Sequence, residues 1–258
     1  MKTILYTNNI KIKQIVISIT LVFFLFSNLN SQISKISSQN IKVDDFHASN
    51  NELEELIKPY KKEIIKLQKK IGFSTKSLSI RDGELESTLG NLIADILLEE
   101  SNKLFKNKFF KNIDFCLINY GGIRGTLNMG VITQHDLVTI MPFNNLSTVV
   151  KISGNKVQEL FQYLNNNNKQ HPVSGLKIIF NQNKIQNALI QNKKFNINKS
   201  YYVLTSNFLQ EGGDKMDFFM NPLELYNLET NIREVVIKHI TLKKKIEGKL
   251  DNRIQRIK

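Results

Sequence analysis

Residues 115–125 read FCLINYGGIRG, and this stretch decides how the chain is organised. Its first four residues are apolar, which predicts a short buried strand, and the glycines that follow let the backbone turn. Asn119 and Arg124 flank the loop, where side chains can converge on a ligand. The single cysteine, Cys116, lies within the apolar run, so we predict a buried thiol and no internal disulfide.

The segments around this stretch alternate between helical and extended patterns. Apolar residues recur every three or four positions over residues 51–71, which predicts a helix that Pro59 should bend or restart. Further helices are predicted over residues 87–105, 155–164 and 230–242, with a capped turn over 133–137. Strands are predicted at Leu78 and Ile80 and over residues 115–118, 147–152, 176–180, 185–190 and 201–205. Helices first, then strands with one late helix, predict an α+β fold with a mixed or antiparallel sheet packed with helices.

The first 31 residues have the pattern of a signal peptide. Three lysines precede an apolar run over residues 15–26, which is short for a membrane span and suits a signal segment cut before Gln32. We therefore expect an exported protein, periplasmic, envelope-bound or secreted, that contacts a membrane only if the segment stays uncleaved. Residues 32–48 are expected to form a flexible leader, and residues 49–254 the folded domain.

The charge of the chain is strongly positive, at +13. A basic surface can attract nucleic acid, but these lysines alternate with acids and asparagines along the whole chain. We therefore predict no nucleic-acid partner.

Four segments carry a family resemblance through their order and spacing. They are residues 89–95 (LGNLIAD), 119–124 (NYGGIR), 141–145 (MPFNN) and 206–214 (SNFLQEGGD), with supporting matches at 57–61 (IKPYK), 174–176 (SGL) and 251–254 (DNRI). Together they resemble the C-terminal domain of 5'-nucleotidases and UDP-sugar hydrolases over roughly residues 49–254. The resemblance implies the mixed α+β fold of that domain and a site for a nucleotide or nucleoside.

The resemblance also assigns roles to five residues. It implies that Phe143 and Phe208 clamp the base, that Asn119 contacts the base, that Asp214 accepts from the ribose hydroxyls, and that Arg124 contacts the ribose or phosphate. Physical chemistry allows each role, since aromatic faces stack on bases and guanidinium groups bind oxyanions. Taken alone, the phenylalanines would be core residues, Asp214 a turn residue and Arg124 a solvated charge.

Two positions depart from the family pattern. Tyr120 stands where the family usually has glycine, and Gly83 stands where it has an arginine, with Arg81 two residues away. Either Arg81 reaches the site by a loop shift, or the ligand depends less on its phosphate.

The metal-binding motifs of the family are the largest departure. Residues 45–47 (DFH) imitate the Asp-x-His motif, but the other ligands have no counterpart, so we predict no catalytic residue, no metal and no cofactor in this chain. The leading hypothesis is a split nucleotidase for nucleotide catabolism, in which a separate metallophosphoesterase chain supplies the divalent metals. The alternatives are a non-enzymatic nucleoside-binding protein outside the cytoplasm and a degenerate domain kept for surface interaction.

Overall fold

The computed structural model describes residues 38–40, 50–182 and 184–257. Residues Glu52–Lys258 form one compact unit, and in the other unit, Met1–Asn51, residues 38–40 have no regular structure. No helix in these ranges combines the length and apolar character that a membrane span requires. The predicted signal segment and the motif at residues 45–47 lie outside the described residues, so the proposed boundaries stay predictions.

The described helices are distributed along the whole domain. They are α1 (Asn51–Leu67), α2 (Thr88–Phe109), α3 (Gln134–Ile140), α4 (Gly154–Asn166), α5 (Asn207–Gln210) and α6 (Ile232–Lys243). Short 3-10 turns at Tyr120–Gly122, Gly213–Lys215 and Asp217–Phe219 follow strand or helix ends.

The strands form four small sheets. They are β1 (Lys70–Ser74), β2 (Leu78–Ser79), β3 (Phe115–Leu117), β4 (Thr126–Leu127), β5 (Gly130–Thr133), β6 (Leu146–Ser153), β7 (Val173–Ser174), β8 (Leu176–Asn181), β9 (Lys184–Ile190), β10 (Lys193–Lys194), β11 (Ser200–Ser206), β12 (Glu224–Asn231), β13 (Lys245–Ile246) and β14 (Ile254–Ile257). Their orders are β12-β6-β11-β3-β7, β10-β9-β8-β14, β13-β1-β5 and β2-β4.

The five-stranded sheet is mixed, which confirms the predicted α+β class. β11 pairs antiparallel with β6 over its whole length, from Ser200 opposite Ser153 to Ser206 opposite Ser147, and parallel with β3. A β-strand alternates its side chains between the two faces of a sheet. Phe115 and Leu117 therefore join one core while Cys116 joins the other. The sheet thus lies between two apolar cores, one lined by α2 and α6 and the other by α4.

Side-chain caps are present at two helices, and the one at α3 was predicted. The Ser87 hydroxyl accepts from the Gly90 amide at the start of α2. At α3, Thr133 and Asp136 accept from each other's backbone amides in a capping box. Such caps supply partners for amide groups that have none within the helix.

Several expectations are wrong in detail. Strands interleave with helices from the start of the domain, with β1 to β5 all preceding α4, so the order of helices first and strands later does not hold. α1 does not restart at Pro59 and ends at Leu67, not at Ile71, which is buried in β1. The helical spacing over residues 87–105 also predicts that Leu104 faces inward, but Leu104 is exposed and Phe105 fills the core.

Candidate functional site

Five predicted site residues from three distant segments line one cleft. The cleft has a volume of about 210 Å³, and its lining residues are Asn119, Gly121, Arg124, Phe143, Asn145, Phe208 and Asp214. β3 delivers Asn119, the loop after α3 delivers Phe143, and α5 delivers Phe208. The structure therefore brings the predicted residues together, while their role in binding stays a prediction.

Asn119 forms the polar floor of the cleft. Its side chain is buried, and its amide nitrogen donates to Asp214 Oδ2 at 2.6 Å. A Cβ on Gly122 would lie 2.8 Å from Asn119 Oδ1, so a larger residue there would displace the amide. The loop glycine thus fixes the amide that orients the Asp214 carboxylate.

The loop that carries Asp214 has a left-handed backbone at three positions. Gly212 has a φ of 89°, Asp214 of 53° and Lys215 of 60°. Residues other than glycine adopt such angles at a cost, and they do so more often at functional sites. The Tyr163 hydroxyl donates to the Asp214 carbonyl at 3.0 Å and helps to hold this turn.

The two predicted clamp rings are half-exposed. Phe143 is 44% and Phe208 42% exposed, and neither packs against another aromatic ring within the described residues. Gly213 makes room for one of them, because a Cβ there would lie 2.5 Å from two ring carbons of Phe208. Two half-exposed aromatic rings at one cleft can accept a flat ligand.

Arg124 lies at the rim of the cleft. Its guanidinium carbon is 5.1 Å from the centre of the Phe143 ring, a cation–π contact. Its backbone amide donates to the Ile140 carbonyl at 2.8 Å, which ties the glycine loop to the end of α3. The side chain is exposed, so its charge is available to an anionic group.

Two residues that the sequence did not predict hold the aromatic loops in place. Arg233, at the start of α6, donates to the Met141 carbonyl and to Asn144 Oδ1, both at 2.9 Å. Asn207 Oδ1 accepts from the Leu146 amide at 2.8 Å, which joins α5 to the loop of Phe143. Asn207 lies in the motif at residues 206–214 and Arg233 in none, but neither role follows from the sequence because both side chains contact segments more than 60 residues away.

Arg81, the arginine two residues from Gly83, contacts Tyr120. Arg81 Nε donates to the Tyr120 hydroxyl at 2.9 Å. Neither residue is among those that line the cleft. In this structure Arg81 is therefore engaged beside the glycine loop, and Tyr120 anchors it there.

The segment at residues 89–95 does not reach the cleft. Asp95 pairs with Arg253 through two hydrogen bonds of 2.7 and 2.6 Å, and the same guanidinium donates to the Val173 carbonyl. Nearby, buried Glu86 accepts from the Asn91 side chain at 2.7 Å and from the Asn252 amide at 2.7 Å. This segment and residues 251–254 are therefore two halves of one structural network.

One group of potential metal ligands exists within the described ranges. Glu99, Glu100 and His239 place their ligand atoms within 4.8 Å of one another. The Lys103 ammonium lies 2.7 Å from Glu99 and 3.0 Å from Glu100, so a side-chain cation already balances these carboxylates. The group lies on α2 and α6 and shares no residue with the cleft.

His171 contacts the backbone of the glycine-rich loop at residues 119–125. Its Nδ1 accepts from the Tyr120 amide at 3.2 Å, and Nε2 is buried without a partner among the described residues. Burial lowers the pKa of His171 to about 4, against an opposing effect of Asp214. The folded protein therefore keeps this imidazole neutral at pH values where a solvated histidine is protonated.

Lowering the pH from about 6.5 to about 4 is expected to destabilise the fold through His171. Between these values the unfolded chain binds a proton that the folded chain refuses, so the stability present above pH 6.5 is lost as pH falls. His171→Asn, which keeps an acceptor for Tyr120, should show a shallower loss in this window. Urea unfolding across pH measures the two slopes, and equal slopes would contradict the assignment.

The comparisons with known proteins agree on one family. Residues 70–221, more than half of the chain, match the family described as "5'-nucleotidase, C-terminal domain". A 5'-nucleotidase of Diplobatis ommata is 23% identical over 192 residues, which are 66% of this chain and 33% of that protein. A trifunctional nucleotide phosphoesterase protein of Bacillus subtilis is 25% identical over 249 residues, 88% of this chain and 16% of that protein.

Solved structures show the same fold. A 5'-nucleotidase precursor from Thermus thermophilus superposes with a TM-score of 0.68 at 22% identity, covering 79% of this chain and 43% of that one. The NAD nucleotidase of Haemophilus influenzae gives a TM-score of 0.62 at 19% identity, covering 81% of this chain and 42% of that one. The chain spans less than half the length of these proteins. It belongs to the 5'-nucleotidase C-terminal domain family.

Proposed function

We propose that the chain binds a nucleoside or nucleotide in the cleft between Phe143 and Phe208, outside the cytoplasm. The observation that carries the proposal is the convergence of two half-exposed rings with Asp214 and Arg124 at one cleft. Membership of the 5'-nucleotidase C-terminal domain family supports a nucleotide-related function for this cleft. Export is supported by the signal-like pattern of residues 1–31.

The two rings are suited to hold a base. Every nucleobase presents a π-face, so stacking between aromatic side chains tolerates different bases and contributes about 1 to 3 kcal/mol per base. Asn119 lies on the floor of the same cleft, and its amide provides a hydrogen-bonding edge. Stacking with one amide contact supports affinity for nucleosides with modest selectivity among bases.

Asp214 and Arg124 are suited to the sugar and the phosphate. A carboxylate accepts hydrogen bonds from two neighbouring hydroxyls, and the amide of Asn119 already fixes the Asp214 carboxylate. The Arg124 guanidinium is permanently charged and forked, which matches phosphate oxygens. The Arg124 guanidinium now lies over the face of Phe143. A bound phosphate would give it a fully charged partner instead.

Calorimetric titration with adenosine, 2'-deoxyadenosine and AMP is expected to separate the two roles. Asp214→Asn keeps the size of the side chain but removes its charge, so the preference for adenosine over 2'-deoxyadenosine should shrink. Arg124→Ala should weaken AMP more than adenosine, and the difference should be larger at low salt, where screening is weakest. If both variants lose the same binding affinity for all three ligands, these roles are contradicted. The likeness to the family would then concern the fold alone.

We further propose that a separate metallophosphoesterase chain completes an enzyme of nucleotide catabolism. The sequence lacks a Gly-Asn-His-Asp/Glu motif, and a two-metal site needs several converging carboxylates and imidazoles. The divalent metals would then belong to the partner. The alternative is a nucleoside-binding protein with no enzymatic role, which the same cleft would serve.

The purified chain is expected to show no metal-dependent phosphatase activity by itself. Adding an exported metallophosphoesterase chain from the same cell should produce nucleotide hydrolysis that Phe208→Ala reduces. If nucleotide hydrolysis co-purifies with the isolated chain and a chelator abolishes it, the proposal that a separate chain supplies the metals is overturned. Ligand binding without any gain from the second chain would favour the non-enzymatic alternative.

A further inference from the structure

Arg233 bridges the loop that carries Phe143. From the first turn of α6, its guanidinium donates to the Met141 carbonyl and to Asn144 Oδ1, both at 2.9 Å. Met141 precedes Phe143 in the chain, and Asn144 follows it. The arginine side chain is only 14% exposed, so water competes little for its hydrogen bonds. A single side chain therefore holds the loop on both sides of the ring.

The start of α6 holds the same loop at a third point. The Ile232 amide donates to the Asn145 carbonyl at 3.0 Å. This amide belongs to the first turn of the helix, where backbone N–H groups have no acceptor within the helix. The loop carbonyl supplies that acceptor. Because Val236 and Ile240 anchor α6 in the apolar core, the helix gives the loop a fixed support.

Phe143 depends on this loop for its position. Its ring is 44% exposed, and no other aromatic ring packs against it within the described residues. Its cation–π contact is with Arg124, another exposed side chain. Stacking depends on the distance and the angle between two planes, so a ring whose loop moves loses stacking energy. The contacts that hold the loop therefore determine where the ring stands.

Arg233 acts from outside the cleft. It is not among the residues that line the cleft, whereas Phe143 lines both the cleft and a neighbouring cavity that Arg233 also lines. That cavity has a volume of about 20 Å³, which is enough for a water molecule and too small for a base. Arg233 thus reaches a ligand in the cleft only through Phe143 and its loop.

We propose that Arg233 is a positioning residue, which sets the place of the Phe143 ring in the clamp and so determines nucleoside affinity without touching the ligand. This inference rests on the proposed function of the cleft. Loss of the guanidinium should weaken binding only through the ring. Its effect should therefore not exceed the effect of removing the ring itself.

Calorimetric titration with adenosine tests this role. Arg233→Met should weaken adenosine binding about fivefold or more, but no more than Phe143→Ala does. In a chain that already carries Phe143→Ala, the same substitution should cause no further loss, because the ring through which it acts is gone. A ligand contact or a general loss of structure would instead add to the effect of Phe143→Ala. Additive losses would therefore overturn the proposal.

Arg256→Met is the matched control. The Arg256 guanidinium also donates to a backbone carbonyl, that of Asn165, and to the Oδ1 of an asparagine three residues later, Asn168. Neither asparagine lines the cleft, so adenosine affinity should stay unchanged. An equal loss of affinity in Arg233→Met and Arg256→Met would contradict the proposal.

Asn144→Ala tests the same bridge without a change in buried structure. Asn144 is exposed and does not line the cleft, so the variant should fold as the wild type does, which urea unfolding checks. It removes one of the two acceptors of Arg233 and should cause a smaller loss of adenosine affinity. Unchanged affinity in both Asn144→Ala and folded Arg233→Met would overturn the proposal.

A fluorine label separates the positioning of the ring from the function of the cleft. With para-fluorophenylalanine at position 143, the fluorine resonance should shift or broaden in Arg233→Met and stay unchanged in Arg256→Met. This measurement needs no ligand. An unchanged resonance in Arg233→Met would overturn the proposal even where adenosine binds. If the resonance responds but the wild type binds no nucleoside, the proposed function is overturned, while the role of Arg233 in placing the ring stands.

Discussion

Arg253→Met is expected to lower the free energy of unfolding by about 3 kcal/mol. The buried guanidinium of Arg253 donates to Asp95, Asp251 and the Val173 carbonyl, so methionine would leave these acceptors without their donor. The Asp95 side chain is about half exposed, and water can solvate it, which keeps the loss near the lower end of the range for broken buried pairs. Urea unfolding measures the loss directly, and the midpoint of thermal unfolding should fall by about 6 to 12 °C.

Arg256→Met is the control for this prediction. Arg256 lies in β14, just after Arg253, but its partners are Asn165 and Asn168 and include no carboxylate among the described contacts. The loss should therefore be clearly smaller. Neither variant should change nucleoside affinity under conditions where it is folded, because neither side chain lines the cleft. If the two variants lose the same free energy of unfolding, the ion pair between Arg253 and Asp95 adds no more stability than the contacts of Arg256.

Phe143→Ala and Phe208→Ala are each expected to weaken nucleoside binding by about 1 to 3 kcal/mol, which is about 5- to 150-fold. Each ring is half-exposed, so its removal should cost the fold little while it removes one face of the clamp. Calorimetric titration with adenosine measures the loss, and urea unfolding confirms that the variants remain folded.

Phe73→Ala is the matched control for the clamp. Phe73 is 45% exposed, close to the two clamp rings, but it lies in β1 outside the cleft. Its removal should leave affinity unchanged. Unaltered affinity in both clamp variants, or an equal loss with Phe73→Ala, would show that stacking in this cleft does not bind the base.

The fold could be predicted where local patterns and burial agree. α2, β6 and β11 were predicted to within a few residues, because each combines regular spacing with a clear cap or turn. β1 and β12 were missed. β12 alternates buried and exposed positions only weakly, and it pairs with β6 alone at the edge of its sheet. The first residues of β1 continue the helical spacing of α1, so the boundary between them depends on tertiary contacts.

The candidate site could be predicted only as a set of separate motifs. Phe143 follows a proline, Phe208 precedes the Gly-Gly-Asp loop and Asp214 ends that loop, and the family resemblance assigned all three to one ligand site. Their supports could not be predicted, since Arg233, Asn207 and His171 act through backbone groups of segments distant in the chain. The segment at residues 89–95 carried as much of the resemblance as the cleft motifs, yet it serves the structure. A sequence motif alone does not reveal whether its residues line a ligand site or stabilise the fold.

The Arg253 network also determines when the domain can finish folding during synthesis. Arg253 and Asp95 are 158 residues apart, and β14 pairs in parallel with β8 only after residues 254–257 have been made. Contacts between such distant segments slow folding because the intervening chain must first be ordered. Until residues 253–257 have joined the fold, one edge of β8 and the Asp95 carboxylate lack their partners. An incompletely folded domain therefore presents an unpaired strand edge, and such edges favour aggregation.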